Sequence, residues 1–291
     1  MHGPSVKGVG MDTLYERCCG IDVHKQRVSA CLLTPGPGRS QQKEIRSFAT
    51  TTAALLDLRD WLLAAECTHV AMESTGVYWK PVYNLLEDAF VVILANAQHI
   101  KALPGRKTDV RDAEWIADLL QHGLIQGSFI PPKPIRELRE LTRYRKSLIQ
   151  ERSAEANRVQ KVLEGANIKL ASVATNILGV SGRAILAALI AGTTDPQTLA
   201  DLARGRMRKK IPALEQALTG HMGAHQRFVV AQQLAHIDDL DDAIEHCSAE
   251  VATRMQPFAE QLERLCTIPG VGRRIAETIL AEVGTDIAHS R

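Results

Sequence analysis

Up to Ile130 the apolar stretches are short and separated by polar punctuation; beyond Pro131 they recur at helical spacing. Arg17–Val23 and Val28–Leu33 are two short apolar runs, with His24-Lys25-Gln26 as a tight connection between them. Thr34-Pro35-Gly36-Pro37-Gly38 reads as a turn, and Ile45–Ala49 as a third strand. Thr51 then caps a helix whose Leu55, Leu58 and Leu62 share one face. Thr68–Met72 reads as a strand, Val77–Asp88 as a helix, Phe90–Ala95 as a strand, and Asp109–His122 as a helix closed by Gly123. Three strands, then helix, strand, helix, strand, helix predict an α/β domain over residues 17–130, with helices flanking a mixed sheet.

Pro131-Pro132-Lys133-Pro134 marks a boundary, and the remainder reads as mostly α-helical. Ile135–Leu163 forms one long candidate helix with Leu138, Leu141, Leu148, Val159 and Val162 on its apolar side. Arg145 and Arg152 interrupt that seam, which permits a coiled coil without requiring one. Gly179-Val180-Ser181-Gly182 reads as a tight turn, followed by helices at Ala184–Ile190, Pro196–Ala203, Ala213–Leu218 and His225–Ala249. The expected organisation has five parts: a disordered leader at 1–16 (Met11 being a candidate start), the α/β domain at 17–130, the long helix at 131–166, a helical linker region at 167–255, and a final helical segment at 256–291.

Composition narrows the class. A hydrophobic fraction of 45% with 23% charged residues describes a soluble globular chain. The longest apolar run, Ala184–Ala191, is too short to span a bilayer, and the N-terminus lacks the apolar stretch of a signal peptide, so no membrane partner is expected. None of the six cysteines stands in a C-x-x-C pair, which points to reduced buried thiols in a cytoplasmic protein. The net charge of +2 is uninformative, but its distribution is not. Lys133–Lys161 holds nine Lys/Arg against four Glu, and Arg204–Lys210 holds five bases in seven residues. Either segment alone is as well explained without a partner, the first as a solvated helix face and the second as a basic loop. Together they make Arg143, Lys146, Arg206, Arg208 and Lys209 candidates for phosphate-backbone contact. Asp238-Asp239-Leu240-Asp241-Asp242 reads as a solvated acidic face.

The candidate chemistry lies in four carboxylates. Asp22 follows one apolar run, Glu73 ends another, and Asp109 and Asp112 open a helix. The last two are spaced i, i+3 and share a helix face. In the first turn they also suit the positive end of the helix dipole. Magnesium takes about six oxygen ligands and is held by few carboxylates plus water and phosphate. Two such ions can stabilise the attacking and leaving oxygens of phosphoryl transfer. Any one of the four is as readily a helix cap or a surface acid. As a set they form a metal site only if the strands bearing Asp22 and Glu73 are neighbours. Lys25 and Lys107 flank the acids and are candidate phosphate contacts, a surface lysine being the plainer explanation.

A second constellation is Leu265–Gly284, where Pro269-Gly270-Val271-Gly272 sits between helical patterns. Its glycines allow a sharp hairpin, and free backbone N–H groups on the helix that begins at Arg273 suit a phosphate. That makes Gly270, Gly272 and Arg273 candidate contacts in a helix-hairpin-helix, with a plain helical packing unit as the alternative. His221 and His225 lack an evident third ligand and read as surface histidines.

In this order, GIDVHK, MESTG, KTDVRDA and IPGVGRRIAETILAEVG resemble insertion-sequence transposases with a RuvC-like DEDD domain, the bridge-RNA-guided recombinases, with Piv-type invertases as relatives. The resemblance runs from Cys18 to the C-terminus. It implies a ribonuclease-H-like domain whose Asp22, Glu73, Asp109 and Asp112 hold Mg²⁺ or Mn²⁺. It further implies a coiled-coil segment from Ile135 used in dimer contacts, and a transposase domain that begins around the hairpin. DNA, a structured guide RNA, and further copies of the chain in a homodimer or homotetramer are the implied partners, in the bacterial cytoplasm at the nucleoid. The family also uses a serine nucleophile, which lies farther along than this chain extends; Ser290 stands too close to the hairpin to match it. The expectation is therefore a transposase or site-specific recombinase that binds metal and nucleic acid but lacks its nucleophile. Three other readings compete with it. One is a Holliday-junction endonuclease using metal-activated water. Another is an actin-like ATPase, which the helical, basic residues 131–291 disfavour. The last is a non-catalytic nucleic-acid-binding remnant.

Overall fold

A computed structural model describes residues 13–38, 40–74, 76–96 and 112–285. The chain divides into two compact units between Ile130 and Pro131.

The first unit holds a five-stranded sheet of order β3-β2-β1-β4-β5. Its strands are β1 (Cys18–Val23), β2 (Arg27–Pro35), β3 (Gln41–Ala49), β4 (His69–Glu73) and β5 (Val91–Ala95). β1, β2 and β3 form an antiparallel meander, whereas β4 runs parallel to β1 and β5 parallel to β4. This is the mixed sheet flanked by helices that the sequence predicts. Alternation along β1 splits its side chains between two cores. Cys19, Ile21 and Val23 face helices α1 (Thr52–Ala64) and α2 (Trp79–Leu86), packing with Leu58, Leu62, Val82 and Leu86. Cys18 faces the other side, where Ala113, Ile116, Ala117 and Leu120 of α3 (Asp112–Gln121) cover it. β3 is an edge strand, longer than the periodicity suggested, with Gln41, Gln42, Lys43 and Glu44 exposed. Such charged and polar side chains discourage edge-to-edge pairing.

The second unit is helical, comprising α4 (Lys133–Gly165), α5 (Leu170–Val173), α6 (Val180–Ala191), α7 (Pro196–Ala200), α8 (Ile211–Ala217), α9 (Ala224–Arg254), α10 (Ala259–Cys266) and α11 (Arg273–Val283). α4 and α9 pack antiparallel over most of their lengths. Leu138 meets Val251 and Met255, Leu148 meets Leu240 and Ile244, and Val159 and Leu163 meet Val230 and Leu234. The apolar seam of α4 is thus filled within the chain. The arginines that interrupt it are satisfied there too. Arg145, 4% exposed, meets Glu277 of α11 at 2.8 Å, and Arg152 pairs with Asp241 of α9.

Two expectations change here. The run Val180-Ser181-Gly182 is the first turn of α6 and not a tight turn, and glycine at 182 lets it pass close to Ile177, where even an added Cβ would lie 2.1 Å from the carbonyl oxygen. The acidic run on α9 is not merely solvated, since Asp238 and Asp241 receive Arg183, and Asp241 also receives Arg152.

A candidate metal centre and two basic segments

The register of the parallel pair places the acids. Cys18 lies opposite His69 and Ile21 opposite Met72, so the next step sets Asp22 beside Glu73 at the ends of β1 and β4. By strand alternation, Asp22 lies on the same face as Cys18 and Gly20, and Glu73 on that of Ala71, the face that α3 covers.

Gly20 brings the helix in. A Cβ built there would lie 2.2 Å from the Ala117 nitrogen and 2.3 Å from the Ala113 carbonyl oxygen, both backbone atoms of α3. Only a residue without a side chain lets the helix backbone rest on the strand at this point. Asp112, the residue before Ala113, is thereby carried toward Asp22.

The electrostatics record the gathering. Burial pushes the Asp22 carboxyl above its ordinary range, His24 opposes that by charge and by hydrogen bonding, and the negative charges of Asp112 and Glu73 push it further up. The Asp22 side chain is 19% exposed, and its Oδ2 lies 2.9 Å from Nε2 of His24. The structure therefore brings three of the four sequence-selected acids to one place, whereas Asp109 lies outside the described residues, as does Lys107. A half-buried carboxylate pressed by two others is a donor set that suits a divalent cation. Among the described residues, no group of three His, Cys, Asp or Glu already stands at metal-holding spacing.

His24 and Gly20 were not singled out by the sequence reading. His24 stands two residues beyond Asp22, and a strand that ends there lets the chain turn back onto it. Gly20 gave no periodic signal, since its role depends on a helix that begins more than 90 residues later.

The basic candidates divide by whether the fold neutralises them. Arg143 makes two hydrogen bonds of 2.7 Å to the Glu282 carboxylate, an ion pair that holds Glu282 below its usual range. Arg139 also reaches Glu282, and Arg158 pairs with Glu155. Much of the charge of α4 thus ties this unit together. Lys146 is exposed, and Lys25 is exposed in the β1–β2 turn. Arg206, Arg208 and Lys209 lie on a 3-10 turn at Gly205–Lys210, expected as a loop, and all three are exposed. Gly270 takes φ +84° in the turn between α10 and α11, Gly272 caps α11, and the Arg273 Nε donates to Glu277 at 3.2 Å.

The model of the DEDD transposase family of the IS110 type, described as Transposase, matches residues 19–168, more than half of the chain. The chain belongs to that family. Its class is thus a transposase with an N-terminal mixed α/β domain, a nucleic-acid-cleaving kind of protein whose partner is DNA. Among solved structures, a Thermus thermophilus RuvC structure is similar at 14% identity, over 40% of this chain and 85% of that chain, with a TM-score of 0.25. The fold described above rests on the strand order and not on that likeness. None of the curated proteins compared matches the chain. Among the described residues, no helix is long and apolar enough to cross a membrane.

Proposed function

We propose that this chain is a metal-dependent transposase or site-specific recombinase of a mobile element, cutting and exchanging DNA strands under the direction of a structured RNA. The observation that carries the metal-dependent part is the placement of half-buried Asp22 and Glu73 at the ends of adjacent parallel strands, with Asp112 at the start of the helix that covers them. Carboxylates forced together at strand ends lose their repulsion when a cation joins them. On this reading Asp22, Glu73, Asp109 and Asp112 hold Mg²⁺ or Mn²⁺. Bound there, the ions would supply Lewis acidity toward the phosphodiester. Asp22 and Glu73 offer oxygens from adjacent strands, Asp112 offers one from the helix start, and His24 orients the Asp22 carboxylate through its 2.9 Å contact. Gly20 keeps helix and strand close enough for the set to act together.

The hairpin between α10 and α11 belongs to the same reading as a helix-hairpin-helix that holds a phosphate at Gly270, Gly272 and Arg273. Assembly as a homodimer or homotetramer belongs to it as well, with light scattering as its test. The functional test is strand cleavage or exchange on element-end DNA, with and without the element's RNA, in Mg²⁺ and in EDTA. Asp22→Asn, Glu73→Gln and Asp112→Asn should each abolish the Mg²⁺-dependent product. Undiminished activity in EDTA would overturn the reading.

A further inference from the structure

The basic turn at Gly205–Lys210 differs from the arginine-rich helix α4 in how its charge is used. On α4, Arg139, Arg143, Arg145, Arg152 and Arg158 all reach carboxylates of the same unit. Among the described residues, the side chains of Arg204, Arg206, Arg208 and Lys209 have no carboxylate partner. Lys210 donates only to the Val173 carbonyl, at 2.9 Å. A run of like charges left unneutralised is self-repelling and gains from a polyanion.

The turn is also built, not loose. Arg204 is extended, Gly205 takes φ +53°, a left-handed conformation that a side chain would strain, and the chain then coils through Lys210. The Arg204 backbone N–H donates to Oγ of the buried Ser181 at 2.8 Å, pinning the turn to α6. Between them lies an open cleft of about 400 Å³ lined by Asn176, Ser181, Arg204 and Arg206, and no carboxylate is among its lining residues. Asn176 uses its side-chain oxygen on the Leu178 N–H at 3.0 Å, which leaves its amide N–H groups as donors at the rim.

We propose that this cleft is a phosphodiester-binding groove, in which Arg204 and Arg206 hold a backbone phosphate of a nucleic-acid strand and Arg208 and Lys209 hold its neighbours along the strand. The inference rests on the nucleic-acid reading above and adds to it a specific seat in the helical unit. It assigns contact to the backbone and not to bases: the lining includes no aromatic side chain for stacking, and guanidinium groups match phosphate oxygens in pairs. The strand is DNA or RNA, since both carry this chemistry.

The test is the salt dependence of binding by the full chain, measured by fluorescence anisotropy with a DNA duplex and, separately, with a structured RNA. Removing one phosphate contact should lower the slope of log Kobs against log salt by about 0.9 on B-form DNA and by about 0.7 on single strands. Arg204→Gln with Arg206→Gln removes the one phosphate they share and should therefore flatten the DNA slope by roughly 0.9, or the single-strand slope by roughly 0.7, with an unchanged melting midpoint. Arg204→Lys with Arg206→Lys should restore most of the slope, which a merely structural role for the arginines does not predict. A flattened slope on the DNA arm alone assigns the groove to DNA, and a flattened slope on the RNA arm alone assigns it to RNA. An unchanged slope on both arms overturns the groove while leaving the metal-site reading intact. A wild-type chain that binds neither nucleic acid overturns both the groove and the nucleic-acid reading on which it rests.

Discussion

Replacing Gly20 with alanine is the most demanding perturbation of the acidic site, because it leaves every acid in place. The added Cβ would stand 2.2 Å from the Ala117 nitrogen, 2.3 Å from the Ala113 oxygen and 2.8 Å from the Ala117 Cα. All three are backbone atoms, so no side chain can swing aside. To restore ordinary contact, α3 must retreat from β1 by on the order of 1 Å. Overpacking of this kind costs about 1–3 kcal/mol, or a fall in melting midpoint of roughly 2–12 °C for a domain of this size. Asp112 retreats with the helix, and a misplacement of about 1 Å can cost on the order of 100-fold in rate. The assay pairs a thermal melt in EDTA with Mg²⁺ titration of the midpoint. Gly20→Ala should lower the first and shrink the Mg²⁺-induced rise. Alanine at this position with a wild-type midpoint and a wild-type Mg²⁺ response would refute the claim that close helix–strand approach assembles the acids.

Other outcomes follow from particular contacts. The Asp22 carboxyl is raised in the folded chain, so the native state binds more protons than the unfolded one, and its contribution to stability falls as pH rises from the ordinary aspartate value through the raised one. Asp22→Asn removes that penalty. In EDTA its melting midpoint should exceed that of wild type at pH 7 and converge with it near pH 4; the opposite order at pH 7 would contradict the repulsion. In the second unit, Glu277→Gln or Arg145→Met should cost about 3–5 kcal/mol by stranding a buried charge, whereas changing both to methionine should cost much less; urea unfolding of the three variants reads this directly. Burial raises the Cys18 and Cys67 thiols to about 12 and Cys31 to about 11, whereas Cys266 is exposed. An Ellman titration of native protein should show one fast thiol, absent in Cys266→Ser.

Much of the first unit was legible in the sequence because its signals are local. Short apolar runs with turn residues between them gave all five strands, and the spacing of Leu55, Leu58 and Leu62 gave α1. β3 was read too short, since Gln41–Glu44 are polar on both faces of an edge strand. The acids could be selected by residue type, but their convergence depends on β1 pairing parallel with β4, a long-range fact that no local pattern encodes. The basic segments were the hardest to read. Net charge treats Arg143 and Arg206 alike. Only the fold reveals that Glu282, far along the chain, neutralises the first and that the second keeps its charge for something else. The apolar seam of α4 permitted a coiled coil without naming its partner, and α9 of the same chain packs along it.

The central claim is that Asp22, Glu73 and Asp112, with Asp109, form one site for divalent cations. Mn²⁺ titration followed by electron paramagnetic resonance tests it without requiring turnover. Wild-type chain should remove free Mn²⁺ signal in fixed proportion to protein, Mg²⁺ should displace it, and Asp22→Asn combined with Glu73→Gln should abolish the uptake while the melt remains cooperative. Undiminished, Mg²⁺-displaceable Mn²⁺ uptake by that double variant would contradict the account.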